Sequence, residues 1–197
     1  MRRFILNIDD IKGDLIGSGS EKECYVNKFD NTRCLKLGRE SSCKQIKREI
    51  AYFKYMIKCG KDKATFVPHF YSEFKTKDFI GYEQECFLDK NKGGIYDRAW
   101  PLWMWLRNSS VDRSIIIEEL KQLKAEMIRY NIICNDLHEG NIFRVEKNSK
   151  VRLVIIDGFG PSELIPLCKY INFFGRKKIE RQWNKFQIRM NNLFFKM

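Results

Sequence analysis

The stretch "NIFRVEKNSKVRLVIID", Asn141 to Asp157, reads as two strands about a Lys-Asn-Ser-Lys turn, with an amide at its head and an acid at its end. Two apolar-rich runs around a short polar turn are the sequence signal of a hairpin. Just before it stands "CNDLHEG", in which Asp136 precedes Asn141 by five residues. Any fold of this chain must therefore place an acid, an amide and a second acid around one hairpin. Asn, Asp and Gly are also what tight turns use, so the rest of the sequence has to decide between turn chemistry and a metal–nucleotide site.

Upstream, "DLIGSGSEKECYVNKF" has two extended arms around a Gly-Ser-Gly turn, and "NTRCLKLG" alternates as a third strand. Together they predict an antiparallel meander. Ser41 or Ser42 suits the N-cap of a helix whose apolar face is Ile46, Ile50, Phe53 and Ile57, ended by Gly60. "FVPHFYSEF" and "FIGYEQECFL" predict a further strand pair. In the second half, "WPLWMWLRN" predicts the start of a helix with Pro101 near its first turn. Residues 113–130 carry Ile116, Leu120, Leu123 and Met127 on one stripe, and the tail from Ser162 reads as mainly helical. Strands with one helix, then helices with an inserted hairpin, predict an α+β fold of two lobes. The expected division is 1–86 for a small antiparallel-sheet lobe and 87–197 for a shortened, mainly helical one.

The glycine turn lies between two strands, not between a strand and a helix, which argues against a dinucleotide fold and against a Walker loop. A glycine-rich β-turn-β can lay backbone N–H groups over phosphates, because Gly17 and Gly19 carry no side chain to block close approach; alone, it is also an ordinary hairpin. Lys36 sits between Leu35 and Leu37 in the third strand and so points away from them. Glu49 lies at the edge of the helix's apolar stripe. A strand lysine held by a helix glutamate can meet nucleotide phosphates; the alternative is a surface salt bridge of about 0–1 kcal/mol. An amide oxygen from Asn141 and a carboxylate from Asp157 suit magnesium, which takes oxygen ligands and leaves the rest of its shell to phosphates and water. Asp136 is then the group able to accept a hydroxyl proton.

Gly-x-Gly, Lys, Glu, Asp-x4-Asn and Asp-Gly in one order resemble the protein-kinase-like superfamily over roughly residues 14–160. "LIGSGSEKECY", "CLKLG", "KREIAYF" and "NDLHEGNI" look most like the bacterial PhoP regulatory network protein YrbL family. The Asp-Leu-His-x-x-Asn form is also similar to lipopolysaccharide core sugar kinases and aminoglycoside phosphotransferases. The resemblance implies that Gly17, Ser18, Gly19 and Ser20 cover ATP, that Lys36 holds its phosphates and that Glu49 positions Lys36. It makes Asp136 the catalytic aspartate and Asn141 and Asp157 the Mg2+ ligands. "YEQECF" becomes the hinge, with Glu85 and Phe87 at the adenine. The implied reaction moves the γ-phosphate of ATP to a hydroxyl of a sugar or other small or anionic acceptor, lipopolysaccharide core being the family-level expectation.

The departures bear on this reading. Cys134 and Asn135 stand where eukaryotic kinases have His and Arg, which argues against control by a phosphorylated activation loop. Asp157-Gly158-Phe159 replaces Asp-Phe-Gly and puts a phenylalanine switch in doubt. No Ala-Pro-Glu follows, and the stretch after Gly160 is too short for a platform that docks protein substrates. The rival expectation is a non-catalytic kinase-like module that binds nucleotide or a partner in regulation.

Lys plus Arg exceed Asp plus Glu, 37 against 25, a net charge of +12 that favours anionic partners. No zinc motif or aromatic RNA-binding signature supports a specific nucleic-acid binder. The basic tail "GRKKIERQWNKFQIRM", with Ile179, Trp183, Phe186 and Met190 on one stripe, predicts a helix packed on the second lobe, or alternatively a peripheral contact with an anionic membrane or glycan. His138 is expected to hydrogen-bond within the catalytic loop or to a substrate. Seven scattered cysteines without a CxxC point to free thiols. The amino terminus is too short in apolar residues for a signal peptide, and no run of about 18 apolar residues occurs. A cytoplasmic location is the expectation.

Overall fold

The structure is a computed structural model that describes residues 8–108, 111–162 and 167–195. Residues 1–7 and 163–166, on which parts of the amino-terminal and tail expectations fall, lie outside the described residues. A short helix α1 (Ile8–Ile11) leads into strands β1 (Lys12–Ser18), β2 (Glu23–Asn27) and β3 (Asp30–Arg39), then helix α2 (Lys44–Lys58) and strands β4 (Phe70–Lys75) and β5 (Phe79–Glu85). These strands form one antiparallel sheet in the order β1-β2-β3-β5-β4. The predicted meander is its first half.

After a single 3-10 turn at Lys90–Lys92 come β6 (Arg98–Pro101), α3 (Leu102–Asn108), α4 (Arg113–Tyr130), β7 (Ile142–Lys147) and β8 (Lys150–Ile155). The chain then forms α5 (Leu167–Tyr170) and α6 (Asn172–Met190), with a closing π-helical turn at Asn191–Phe195. The predicted hairpin is β7–β8, and its turn residues Asn148 and Ser149 take φ of 49° and 61°, a left-handed pair that matches the twist of the flanking strands.

Three expectations are corrected. The α2 helix starts at Lys44, after Cys43, with neither Ser41 nor Ser42 as its cap. Its early N–H at Gln45 donates instead to Glu21 Oε2 at 3.2 Å, so a carboxylate distant in sequence satisfies an end that local serines do not. On α2, Ile57 is 45% exposed and Met56 is buried in its place, because the core wraps the helix on the side of Tyr52 and Phe53. Trp100 belongs to a strand that runs to Pro101, and the helix begins only at Leu102, directly after the proline. The strand is on the edge of the sheet β6-β7-β8, where proline's missing donor is tolerated.

The α4 stripe Ile116, Leu120, Leu123 and Met127 is buried, as is the α6 stripe Ile179, Trp183, Phe186 and Met190. Both belong to one large apolar cluster that also takes in α2 and Phe159. The core therefore runs from the first sheet's helix into the helical carboxy-terminal part. Phe53 and Phe159 meet across it with ring centroids 5.2 Å apart and planes tilted by 56°, and Ile133 N donates to Tyr52 Oη at 2.8 Å. Phe159, which the sequence left open as a switch, is a fully buried core residue. All seven cysteines are free.

Candidate active site

A cleft of about 520 Å3 lies between the glycine turn above and the β7–β8 hairpin below, lined among others by Gly17, Ser18, Gly19, Lys36, Glu85, Phe87, Asn141 and Asp157. Seven-residue β1 meets β2 with Gly17 opposite Cys24 and Ser18 opposite Glu23, and Gly19 N donates to Lys22 O at 2.8 Å to close the turn. A Cβ on Gly17 would find Cys24 Cβ at 3.8 Å, and one on Gly19 would find Lys22 O at 3.6 Å. Those are ordinary contacts, so the fold itself does not require glycine at either place. What a side chain at 17 would take up is space in the cleft. Ser20 is exposed at the tip of the turn and is not part of the cleft lining.

Alternation in β3 works as the sequence suggests. Leu35 and Leu37 pack with Ile8 in a small apolar cluster, and Lys36 projects from the opposite face into the cleft, 4% exposed. Its ammonium donates to Ile156 O and stands 3.6 Å from Asp157 Oδ1. Burial disfavours that charge, but Asp157 and Glu49 more than offset it and raise the pKa of Lys36 above its ordinary value.

Glu49 is fully buried on α2. It does not form the expected pair with Lys36, whose ammonium is drawn to the end of β8. Glu49 is held instead by Lys22 Nζ at 2.9 Å, by Tyr82 Oη at 3.0 Å and by Gly158 N at 2.9 Å. Lys22 also donates to Asp157 Oδ1. Two ammonium groups thus meet two carboxylates in a nearly dry cluster. Burial and the Asp157 carboxylate push Glu49 upward, against the pull of Lys22 and Lys36. Burial would raise Asp157 as well, but Lys36, a hydrogen bond with Glu49 and Lys22 overcome it and hold Asp157 well below the usual carboxylate range.

Lys22 is the residue that sequence reasoning missed. It follows the glycine turn and shares strand parity with Cys24, which lies opposite Lys36 in the β2–β3 register. Both facts are local alternation, and they place Lys22 on the face of Lys36 once the register is known.

The loop before β7 carries the other acid. Asn135 N donates to Gly158 O at 2.7 Å, and Cys134 bridges Phe159, which sets Asp136 against the Asp157-Gly158 turn. Gly158 has φ +82°, and a Cβ there would come within 2.8 Å of Asp136 Cβ, so glycine is required by conformation and by contact alike. Asn141 Nδ2 donates to Asp136 O at 3.1 Å and to Oδ2 at 3.2 Å. Gly140 N donates to His138 Nδ1 at 3.0 Å. That nitrogen accepts, so the ring proton is on Nε2, which lies 3.7 Å from Asp136 Oδ2. The neighbouring His138 ring holds the Asp136 carboxyl below its ordinary value, with burial opposing it. The Asp136 side chain is 61% exposed, open to an incoming group. It faces a second cavity of about 420 Å3, on the other side of its bond to Asn141.

Toward the opposite end of the cleft, Glu85 and Phe87 form a wall with apolar Ala99, Phe143 and Ile156. The Glu85 carboxylate is already bound by Tyr96 Oη and Arg152, and its backbone N–H donates to His69 O at 2.9 Å, so the apolar side chains of this wall are what it offers a ligand. Tyr82, at the head of the expected hinge, is buried in the core.

Among the described residues no group of three or more His, Cys, Asp or Glu side chains gathers as a metal site. Asn141 and Asp157 offer two oxygen ligands on one cleft wall, which fits magnesium brought in by phosphates that supply the remaining ligands. No helix among the described residues is long and apolar enough to cross a membrane.

Comparison with known proteins agrees with the architecture. The sequence model described as PhoP regulatory network protein YrbL matches residues 8–191. The protein YrbL of Escherichia coli (strain K12) is 26% identical over 180 residues, covering 87% of this chain and 82% of that protein, and the YrbL of Shigella flexneri gives the same figures. In three dimensions the PknI kinase domain of Mycobacterium tuberculosis, solved as a double mutant, matches with a TM-score of 0.53 at 6% identity. The match takes in 75% of this chain and 57% of that one, so the chain spans a little over half of the kinase domain. The fold is protein-kinase-like.

Proposed function

The chain belongs to the PhoP regulatory network protein YrbL family, and we propose that it is a small ATP-dependent phosphotransferase acting on a hydroxyl of a sugar or other small or anionic acceptor in the cytoplasm. The observation that carries this reading is the convergence of Asp136, Asn141 and Asp157 on one junction, with the buried Lys36 and the half-buried Lys22 beside it. In this reading the chain divides near residue 86 into two lobes with the nucleotide between them. The Glu85–Phe87 wall receives the adenine, and the glycine turn leaves room for the phosphates.

Lys22 and Lys36 are the cations that meet those phosphates, and Glu49 keeps Lys22 within the cleft. Asn141 and Asp157 would hold the magnesium that accompanies the nucleotide, which would supply charge neutralisation at the phosphates. Asp136 orients the acceptor hydroxyl and takes its proton as the new oxygen–phosphorus bond forms and the bond to the leaving ADP breaks. Asn141 fixes the Asp136 carboxylate by a hydrogen bond and the His138 ring stands beside it, and its lowered pKa keeps it ionised at neutral pH. Catalysis in such a site comes mostly from positioning and charge neutralisation.

A specific observation favours a second reading. The Lys22 ammonium contacts Asp157 Oδ1, the atom a divalent cation needs. A chain that kept this arrangement with nucleotide bound would be a non-catalytic regulatory module. The deciding experiment measures Mg-ATP binding and ATP consumption for the intact chain, Asp136→Ala and Asp157→Ala. Binding and slow turnover that depend on Asp157, with turnover alone lost in Asp136→Ala, support the phosphotransferase. Absence of Mg-ATP binding sinks both nucleotide readings.

A further inference from the structure

The second cavity, on the Asp136 side of the Asp136–Asn141 hydrogen bond, is walled by α6. Lys178, Arg181, Lys185 and Arg189 recur there at three, four and four residues, so all four fall on one helix face. The rotation of that helix is fixed by its other face, because Ile179, Trp183, Phe186 and Met190 are sunk in the core. Two side-chain clips hold it to the loop that carries Asp136. Gln182 Nε2 donates to Asn135 Oδ1 at 2.9 Å, and Arg189 donates to Glu139 at 2.8 Å and 3.0 Å.

Like charges at this spacing repel one another and destabilise a helix. Glu139 offsets Arg189, but no ion pair holds Arg181 or Lys185 among the described residues. A basic face that is merely solvated is common on surface helices. This one differs in that it lines a concavity of about 420 Å3 and not a convex surface. The exposed carboxylate in that same concavity is Asp136.

We propose that this cavity is the acceptor site and that it selects acceptors bearing a phosphate or carboxylate close to the reacting hydroxyl. Arg181 and Lys185 take the anionic group while the hydroxyl reaches Asp136. The assignment rests on Asp136 as the proton acceptor of the phosphoryl transfer. A neutral polyol gains nothing from the basic wall, so the site discriminates by charge before it discriminates by shape.

Inorganic phosphate is the probe. Backbone amide shifts of the intact chain and of R181Q/K185Q are followed during phosphate titration, with Mg-ATP binding measured in parallel. Both positions are exposed, and thermal unfolding confirms that the variant is folded. The expected result is shifts at residues 135–138 and along α6, with affinity at least about tenfold weaker in the variant, as loss of charge-assisted hydrogen bonds requires, and with Mg-ATP binding unchanged. Equal phosphate affinity in the two proteins, or shifts confined to the Lys22–Lys36 cleft, overturns the proposal. So does binding to anionic-lipid vesicles that needs Arg181 and Lys185 in a chain that ignores phosphate, since the face would then serve a membrane. Phosphate bound at α6 by a chain that fails to bind Mg-ATP keeps the anion site and removes the phosphotransferase reading, so the two failures are distinguishable.

Discussion

Lys22 Nζ lies 2.9 Å from Glu49 Oε2 beneath the glycine turn, in the place where the sequence pattern puts Lys36. The glutamate of α2 and the lysine of β3 are both in the cleft, but the charge that joins α2 to the turn comes from a residue just after Gly-Ser-Gly. Two lysines consequently share one pair of buried carboxylates, and their substitution should not have the same effect.

Lys22→Met leaves Glu49 with Tyr82 and the Gly158 N–H but without its cation. Breaking a buried pair by removing one partner costs about 3 kcal/mol or more, which urea unfolding will register. Nucleotide affinity should fall as well, by about tenfold for the loss of one charged contact to phosphate. A variant that is destabilised yet binds Mg-ATP like the intact chain would make Lys22 a purely structural residue.

The two glycine sites separate folding from binding. Gly158→Ala forces an alanine to φ +82° and drives its Cβ to 2.8 Å from Asp136 Cβ, so stability should drop by about 1–3 kcal/mol. Gly17→Ala meets only Cys24 Cβ at 3.8 Å and should leave the thermal midpoint unchanged or slightly raised. If the cleft takes phosphates, the Gly17 variant nevertheless binds Mg-ATP more weakly. Unaltered affinity in Gly17→Ala would reduce the turn to an ordinary hairpin.

His138 holds no position in the bond-making step, only in the orientation of Asp136. Replacing Asp136 by Asn should lower turnover at least about 100-fold, the usual scale for a positioned proton acceptor, with Mg-ATP affinity kept. His138→Gln, which retains a donor, should lose much less than His138→Ala. The comparison of kcat for the two His138 variants tests the positioning role; equal losses would argue against it.

Asp157 gives a pH signature with a definite sign. Its folded pKa is depressed by Lys36, Glu49 and Lys22, so its contribution to stability is fully present above the unfolded carboxylate value of about 3.9. That contribution is lost as pH falls toward the folded value. The stability gap between the intact chain and Asp157→Asn, read from urea midpoints, should be constant from pH 7 to near pH 5 and shrink below pH 4. A gap that widens on acidification would mean that Asp157 is not the ionised partner of the two lysines.

Much of this arrangement is legible along the chain, and the reason is periodicity. Strand alternation alone turns Lys36 away from Leu35 and Leu37, and the 3.6-residue repeat puts Ile116, Leu120, Leu123 and Met127 on one buried face. Turn chemistry announces the β7–β8 hairpin and with it the return of Asp157. These are properties of a few consecutive residues, set by backbone geometry that every sequence shares. The strand β6 is illegible for the same reason: four residues ending in proline are too few to show a period.

What only the tertiary structure decided is which of these residues meet. Lys22 reaches Asp157 across 135 positions of sequence, and Glu21 caps a helix that its neighbouring serines do not. The basic face of α6 lies beside Asp136 because the opposite face of that helix is held in the core. Such pairings depend on sheet register and on how separate elements pack, and neither leaves a local pattern. The sequence by itself determined the elements, the direction of Lys36 and the set of chemical groups; long-range packing decided their partners, because a buried charge is satisfied by whatever opposite charge the fold brings within reach.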